Sequence, residues 1–240
     1  MKIRALDIET HCLADLYHFY INRLELPAGR PSQQRGIDSQ SFTIALEGTL
    51  LTFSKASQGK PFYHFAFNIA ENKIDEALQW VQHKGIVPIE WHGIVVHDFK
   101  NWNAHSFYFF DPAGNIVEFI ARHDLKETAR TEPFHAAHIL SVSEIGWVLD
   151  DVPAAVQDMQ DKLQLPLYYT ESGSQNFAAM GDPHGLFILV KKGRAWFPTR
   201  RPACIFPMQV LVQHASAQKV FTARHFPSMG YPYSLKIEAD

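Results

Sequence analysis

The chain has 240 residues, which suits one large domain or two small ones and is long enough to bury a core without disulfide support. Hydrophobic residues make up 46% and charged residues 20%, so a disordered, collagen-like or coiled-coil chain is excluded. The net charge is −3, there is no membrane-length apolar run or signal-like N-terminus, and Cys12 and Cys204 are the only cysteines. We therefore expect a cytoplasmic protein that binds neither nucleic acid nor membranes.

A strand followed by an amphipathic helix occurs four times along the chain. The four predicted strands lie near Ile3–Glu9, Phe62–Ile69, Glu144–Leu149 and Ile205–Gln213. The first three are followed by helices with apolar residues at i, i+3, i+4 and i+7, and the fourth by a weaker helical pattern over 217–226. Further short strand-like runs follow, joined by tight turns such as 111–115. Each unit is interpreted as a β-α-β-β(-β) module, and the last module is truncated.

The spacing of the modules predicts how they group. The interval between the second and third modules is the longest and contains a polar stretch that is typical of a linker. We expect an N-terminal pair of modules over 1–123, a linker over 124–138, and a C-terminal pair over 139–240 with its last module incomplete.

Three stretches carry a resemblance to a known family: FYHFAFNIAENKIDEALQWVQHKGI (62–86), SFYFFDPAGNIVEFIAR (106–122), and IGWVLDDVPAAVQDMQDKLQLP (145–166) with MGDPHGLFIL (180–189). The chain resembles the vicinal oxygen chelate superfamily of glyoxalases, bleomycin- and fosfomycin-resistance proteins and extradiol ring-cleaving dioxygenases. The resemblance implies an α+β fold in which paired βαβββ modules form curved mixed sheets. The concave face of such a sheet cups a metal ion or a small ligand.

The resemblance also implies which positions would hold a metal. In this family the ligands lie on the first strand of each module, commonly as His, and on the last strand, as Glu. His64 and Glu118 occupy these positions in the second module, whereas Ala5 and Thr52 occupy them in the first and cannot ligate. The third module offers Glu144 at its first-strand position, and the fourth offers Pro207. The C-terminal pair is therefore expected to be a poor metal site.

Strand alternation supports His64 and Glu118 independently of the resemblance. His64 shares its strand face with Ala66 and Asn68, opposite a face of Phe residues that should pack against helices. Glu118 lies between two isoleucines on its own face, where a carboxylate is costly unless it is paired or bound to a cation. An imidazole and a carboxylate on neighbouring strands suit Fe²⁺, Mn²⁺ or Zn²⁺.

The third metal ligand is left open by the sequence. Asp7 lies on the same strand face as Ala5, and His105 precedes an aromatic strand, so either could be the extra ligand; His11 and His97 are also near in the pattern. The alternative is that His64 and Glu118 form a buried hydrogen-bonded pair without a metal, because two ligands alone seldom hold an ion.

Two loops carry unusual side chains. Residues 90–105 are expected to include ligand-pocket residues in a lid, namely Trp91, Asn101, Trp102 and His105, although they could also be an ordinary long connection. Residues 191–201 (KKGRAWFPTRR) place basic groups around two aromatic rings. We interpret this segment as a solvated hairpin exit anchored by its rings rather than as an anion or nucleic-acid patch.

Two functions follow from these patterns. The first is a metal-dependent enzyme of the ring-cleaving dioxygenase or glyoxalase-like lyase type, with its cavity in the N-terminal pair of modules and His64 and Glu118 as its catalytic metal ligands. The second is a metal-free protein that binds or sequesters a small molecule, as bleomycin-resistance proteins do. In both cases the expected partner is a small molecule, and the chain is expected to be a monomer or a homodimer.

Overall fold

A computed structural model describes residues 1–29, 40–169, 174–214, 221–224, 226 and 230–238. The α-helices in this part of the chain are α1 (Leu13–Tyr17), α2 (Ile74–His83) and α3 (Val152–Leu163). The chain continues from α1 into a π-helical segment, His18–Arg23. The strands are β1 (Lys2–Thr10), β2 (Ser41–Ala45), β3 (Leu50–Lys55), β4 (His64–Ile69), β5 (His97–Phe99), β6 (Ala104–Phe110), β7 (Ile116–Arg122), β8 (Ile139–Leu149), β9 (Phe177–Asp182), β10 (Gly185–Lys191), β11 (Met208–Gln213), β12 (Phe221–Arg224) and β13 (Tyr233–Glu238).

The strands form two mixed sheets, which confirms the predicted α+β class and the curved-sheet fold. The first sheet has six strands in the order β12-β13-β11-β1-β3-β2, and the second has seven in the order β5-β6-β7-β4-β8-β10-β9. No helix in the described part of the chain is long and apolar enough to cross a membrane.

The sheets pair the modules differently from the sequence expectation. The first sheet joins strands of the first and fourth modules, and the second joins strands of the second and third. Both sheets therefore run across the expected division at residues 124–138. A repeat identifies equivalent modules, but it says nothing about which sheet edges meet, because edge pairing uses backbone groups that every sequence has. The division into 1–123, 124–138 and 139–240 stays a prediction about folding units.

The predicted local signals are largely present in the structure. Asp151 caps α3 by accepting a hydrogen bond from the backbone N–H of Ala154 at 3.0 Å. The helix expected over 217–226 is wrong for 221–224, which form β12 paired with β13; residues 215–220 lie outside the described part of the chain. Residues 233–238 form the last strand, β13. Pairing with β13 stabilises an extended conformation where the local helical pattern was weak.

The second sheet is buried on both faces. On one face, Phe65, Phe67 and Phe119 join the main hydrophobic core beneath the helices. On the other face, Ile116 and Ile188 belong to a separate apolar cluster that surrounds a cavity. The alternation predicted for β4 is therefore confirmed: its rings pack on the helix side, and His64 lies on the cavity side.

Asp111 fixes the turn between β6 and β7. Its carboxylate accepts hydrogen bonds from the backbone N–H groups of Ala113 and Asn115 at 3.0 and 2.9 Å, and from the Asn115 amide at 2.7 Å. The hydroxyl of Tyr20 in the π-helical segment also donates to it at 2.8 Å. One buried carboxylate thus closes the hairpin and connects it to the first module.

Asp111 predicts a pH dependence of stability. Burial raises the pKa of Asp111 to about 6, against the opposing effect of its hydrogen bonds. The folded protein therefore holds this proton more tightly than the unfolded chain, and the contribution of Asp111 to stability falls as the pH rises from about 4 to about 6. Asp111→Asn lacks this ionisation. As the pH rises from 4 to 7, the difference in free energy of unfolding between the variant and the parent should therefore change by about 1–3 kcal/mol in favour of the variant. Urea unfolding of both proteins at several pH values measures this difference, and parallel pH profiles would contradict the assignment.

Candidate metal centre

Three buried side chains converge on the cavity face of the second sheet. His64 lies on β4, Glu118 on β7 and Glu144 on β8, and each residue is at most 5% exposed. One ligand atom from each lies within 4.8 Å of the other two. His64 Nε2 is 3.6 Å from a carboxylate oxygen of Glu118, which is too long for a hydrogen bond and leaves room for rearrangement around an ion.

The strand register explains why these residues meet. Ala66 on β4 pairs with Glu118 across the parallel β7 and with Glu144 across the antiparallel β8. The two carboxylates therefore flank a methyl group, and His64 lies two residues back on the same face. Because β8 belongs to the third module, the site needs both halves of the chain.

A backbone hydrogen bond sets the tautomer of His64. Its Nδ1–H donates to the carbonyl of Ile116 at 3.1 Å, so Nε2 carries the lone pair and faces the carboxylates. Burial lowers the pKa of His64 to about 4, against the smaller effect of this hydrogen bond. The imidazole is neutral at pH 7, as a metal ligand must be.

The carboxyl groups are strongly affected by burial. Burial, followed by the charge of Glu144, raises the pKa of Glu118 to about 8. Burial also raises the pKa of Glu144, whereas its ion pair with Arg122 opposes the shift. Arg122 is 1% exposed and also donates from Nε to the Asn68 side chain at 3.2 Å. The site thus contains one fixed cation beside two carboxyl groups.

A cavity of about 670 Å³ opens above these residues. Its walls are largely aromatic, and its charged lining outside the His–Glu–Glu cluster comes from Asp98, Lys100 and Arg194. The complete lining is His64, Asp98, Phe99, Lys100, Asn101, Trp102, Tyr108, Glu118, Glu144, Tyr169, Phe177, Ile188, Arg194, Trp196 and Phe197. A cavity of this size suits a small organic ligand.

The loop predicted as a lid lies partly on this cavity. Asn101 and Trp102 line it, within a 3-10 turn that follows β5. Trp91 is not among the lining residues, and its ring lies 6.3 Å from that of Phe197. His105 is also absent from the lining, because its Nδ1 faces His123 Nε2 at 2.8 Å.

The candidates for an extra ligand lie elsewhere. Asp7 is on β1 in the first sheet, paired with Thr52 and Gln209. His105 is half exposed on β6, and its Nδ1 lies 2.8 Å from His123 Nε2. Among the described residues, neither joins the cluster of His64, Glu118 and Glu144. The resemblance did place Glu144 at a family ligand position, but in the C-terminal pair of modules, apart from His64 and Glu118 in the N-terminal pair.

The first sheet has no equivalent cluster in the part of the chain that the structure describes. Its corresponding residues are Ala5, which has no ligand atom, and Thr52, whose hydroxyl lies 2.9 Å from that of Thr43. Among the described residues, the cluster of His64, Glu118 and Glu144 therefore lies between the second and third modules rather than within the N-terminal pair.

The segment 191–201 contributes a wall that the sequence did not reveal. Trp196 is 4% exposed, and its ring centroid lies 5.0 Å from that of His64. Arg194 and Phe197 line the same cavity. The rings do anchor this segment, but they do so at the cavity. Only the mixture of rings and cations in KKGRAWFPTRR could have indicated a ligand wall.

Comparison with known proteins supports the fold. A protein assigned as a dioxygenase from Bacillus subtilis subsp. subtilis str. 168 is 14% identical and matches all of this chain and 85% of its own, with a TM-score of 0.59. A glyoxalase I variant from Zea mays is 11% identical over 99% of this chain and 93% of its own, also with a TM-score of 0.59. No family model matches the chain, and no curated protein does. The chain has the vicinal oxygen chelate fold.

The residues present fit the divalent metal that this fold implies. One neutral imidazole and two carboxylates form a three-ligand set of the kind that binds Fe²⁺, Mn²⁺ or Zn²⁺ with positions left open. In the second module, Glu118 on β7 lies two residues beyond Ile116, which pairs with His64. The equivalent position in the third module is Ile188 on β10, two residues beyond Leu186, which pairs with Glu144. This fourth position is apolar and offers no ligand. In this vicinal oxygen chelate fold, the buried carboxylates would gain a cation to offset their desolvation.

Close approach at Gly146 predicts a packing test. A Cβ at this position would lie 2.5 and 2.9 Å from two ring atoms of Trp196, so the ring would have to shift. We expect Gly146→Ala to cost about 1–3 kcal/mol in free energy of unfolding. Trp196→Phe removes these ring atoms, so the double variant should be less destabilised than the sum of the single variants. Urea unfolding of the four proteins gives this coupling, and strict additivity would contradict the packing.

Proposed function

We propose that this protein is a cytoplasmic, metal-dependent enzyme acting on a small molecule, with His64, Glu118 and Glu144 as its metal ligands. The observation that supports the proposal is the convergence of three buried ligand atoms within 4.8 Å at the base of a 670 Å³ cavity. Both described cysteines are free thiols, which agrees with a reducing compartment. The reaction class we favour is oxidative ring cleavage or a glyoxalase-like lyase reaction.

The metal would act as a Lewis acid toward oxygen atoms of the substrate or, if it is Fe²⁺, would support O₂ chemistry. His64 offers Nε2 because Ile116 holds its Nδ1–H. Glu118 and Glu144 would supply negative charge, and Arg122 holds one oxygen of Glu144 by its ion pair. These contacts fix the orientation of the ligands before a metal binds.

The cavity walls position the substrate and exclude water. Trp196 and Phe197 enclose one side, with Phe197 packed against Tyr108 at a ring distance of 5.7 Å. Burial, followed by the charge of Glu118, raises the pKa of Tyr108, so its hydroxyl stays protonated and can donate a hydrogen bond. Lys100 and Arg194 can each pair with an anionic group of a substrate, whereas Asp98 in the same lining reduces the net positive charge.

Metal content tests the assignment of the ligands. Tag-free protein, stripped by chelation and incubated anaerobically with Fe²⁺, Mn²⁺ or Zn²⁺, should retain metal at this site. His64→Ala, Glu118→Gln and Glu144→Gln should each lower affinity by at least about tenfold, because two ligands hold an ion poorly. Elemental analysis and calorimetric titration measure both quantities.

Asp7→Asn and His105→Gln are the matched controls, since they change the other candidate ligands without touching the cluster. They should bind as the parent does. Loss of metal in either control would shift the site toward that residue. An unchanged affinity in His64→Ala, Glu118→Gln and Glu144→Gln would overturn the proposed centre.

A metal-free binding protein of the bleomycin-resistance type is the second candidate, and one observation favours it. Arg122 already pairs with Glu144, and burial favours the protonated form of Glu118 at pH 7. The cluster can therefore be close to electrically balanced without an ion. Under this proposal the aromatic cavity alone binds the ligand.

Arg122→Met separates the two candidates. Without metal, the variant should lose about 3 kcal/mol of stability, because Glu144 is left buried and without its ionic partner. If the site binds metal, adding Mn²⁺ or Zn²⁺ should raise the melting temperature of the variant more than that of the parent, because the ion replaces the guanidinium charge. If the protein is a metal-free binder, the metal should not raise the melting temperature of the variant more than that of the parent. Thermal unfolding with and without metal measures this difference.

A further inference from the structure

A second cluster of possible metal ligands lies far from the cavity, in the predicted linker. Glu132, His135 and His138 each offer one ligand atom, and these atoms lie within 4.8 Å of one another. His138 Nε2 is 3.2 Å from Glu132 Oε1, and the two imidazole rings lie 4.1 Å apart. His138 directly precedes β8, and Glu144 lies six residues after His138. At about 3.3 Å per residue along a strand, the two clusters are about 20 Å apart.

We propose that Glu132, His135 and His138 form a second, independent site for a divalent transition metal such as Zn²⁺. Two imidazoles and one carboxylate are a ligand set of the kind that zinc prefers, with a position left for water. The spacing His-x₂-His places His135 at the N-cap and His138 at the last residue of one 3-10 turn, Ala136–His138, so the chain geometry brings the two rings together without a long loop.

The cluster has unused bonding capacity that is available to a metal. His138 is 2% exposed, and its Nδ1 has no hydrogen-bond partner among the described residues, so part of its bonding capacity is unused. His135 gives up only a 3.3 Å contact with the backbone N–H of Ala137 if its tautomer changes.

The surroundings suggest what the metal would do. The Phe134 ring packs on Trp80 of α2 at 5.4 Å, and the Phe134 N–H donates to Glu76 at 2.9 Å. The carbonyl of His138 accepts a hydrogen bond from Ala70, directly after β4. A metal on this turn would tie the linker to the end of β4 and to the start of β8. Its role would be to stabilise the approach of the two central strands.

Zinc titration of four proteins tests this site separately from the cavity site: the parent, His64→Ala, His135→Gln and the double variant, all without an affinity tag. If both sites bind, we expect two, one, one and no tightly bound Zn²⁺ per chain. If only the linker site binds, we expect one, one, none and none. Failure of the cavity site is thereby distinguished from failure of this one.

His83→Gln is the matched control, because it removes another exposed imidazole from α2. It should retain the Zn²⁺ content of the parent, whereas His135→Gln and Glu132→Gln should each bind at least tenfold more weakly at the linker. Zn²⁺ should also raise the melting temperature of His64→Ala but not that of the double variant. Equal Zn²⁺ content and equal thermal shifts in His64→Ala and the double variant would overturn the proposal.

Discussion

The antiparallel pairing of β4 with β8 is the interaction on which the site depends. It sets Ala66 opposite Glu144, while β7 on the other side sets the same residue opposite Glu118. The backbone hydrogen bonds between the strands therefore bring one candidate ligand from the third module to two from the second. A shift of one residue in this pairing would turn Glu144 away from the cavity, since alternate residues of a strand point to opposite faces.

Two effects offset the unfavourable burial of the Glu118 and Glu144 carboxyl groups. Arg122 supplies a permanent positive charge to Glu144, and the pKa of Glu118 rises because its ionised form is poorly solvated. Both effects make the cluster tolerable without an ion and leave carboxylates that gain from binding one. The same residues would hold a metal under the proposed function, and the ion pair of Arg122 with Glu144 explains how the cluster is tolerated within the fold.

The cavity depends on elements that are far apart in sequence. The turn after β5 supplies Trp102, while the segment after β10 supplies Trp196, whose ring covers His64. Gly146 permits this contact, because any side chain there would collide with the indole. Trp196 in the aromatic wall and the candidate ligand cluster therefore both lie against the paired strands β4 and β8, so changes in packing at these strands should alter both.

The sequence by itself determined the modules, the alternation that turns His64 and Glu118 inward, and the turn that Asp111 closes. These features are local: they follow from side-chain period and from backbone angles that Pro, Gly and Asp favour. Only the tertiary structure decided which modules share a sheet. Edge pairing uses backbone groups that all sequences have in common, so the repeat could not show that β8 joins β4 and brings Glu144 to the site. For the same reason, Asp7 was a reasonable candidate from its strand face but lies in the other sheet.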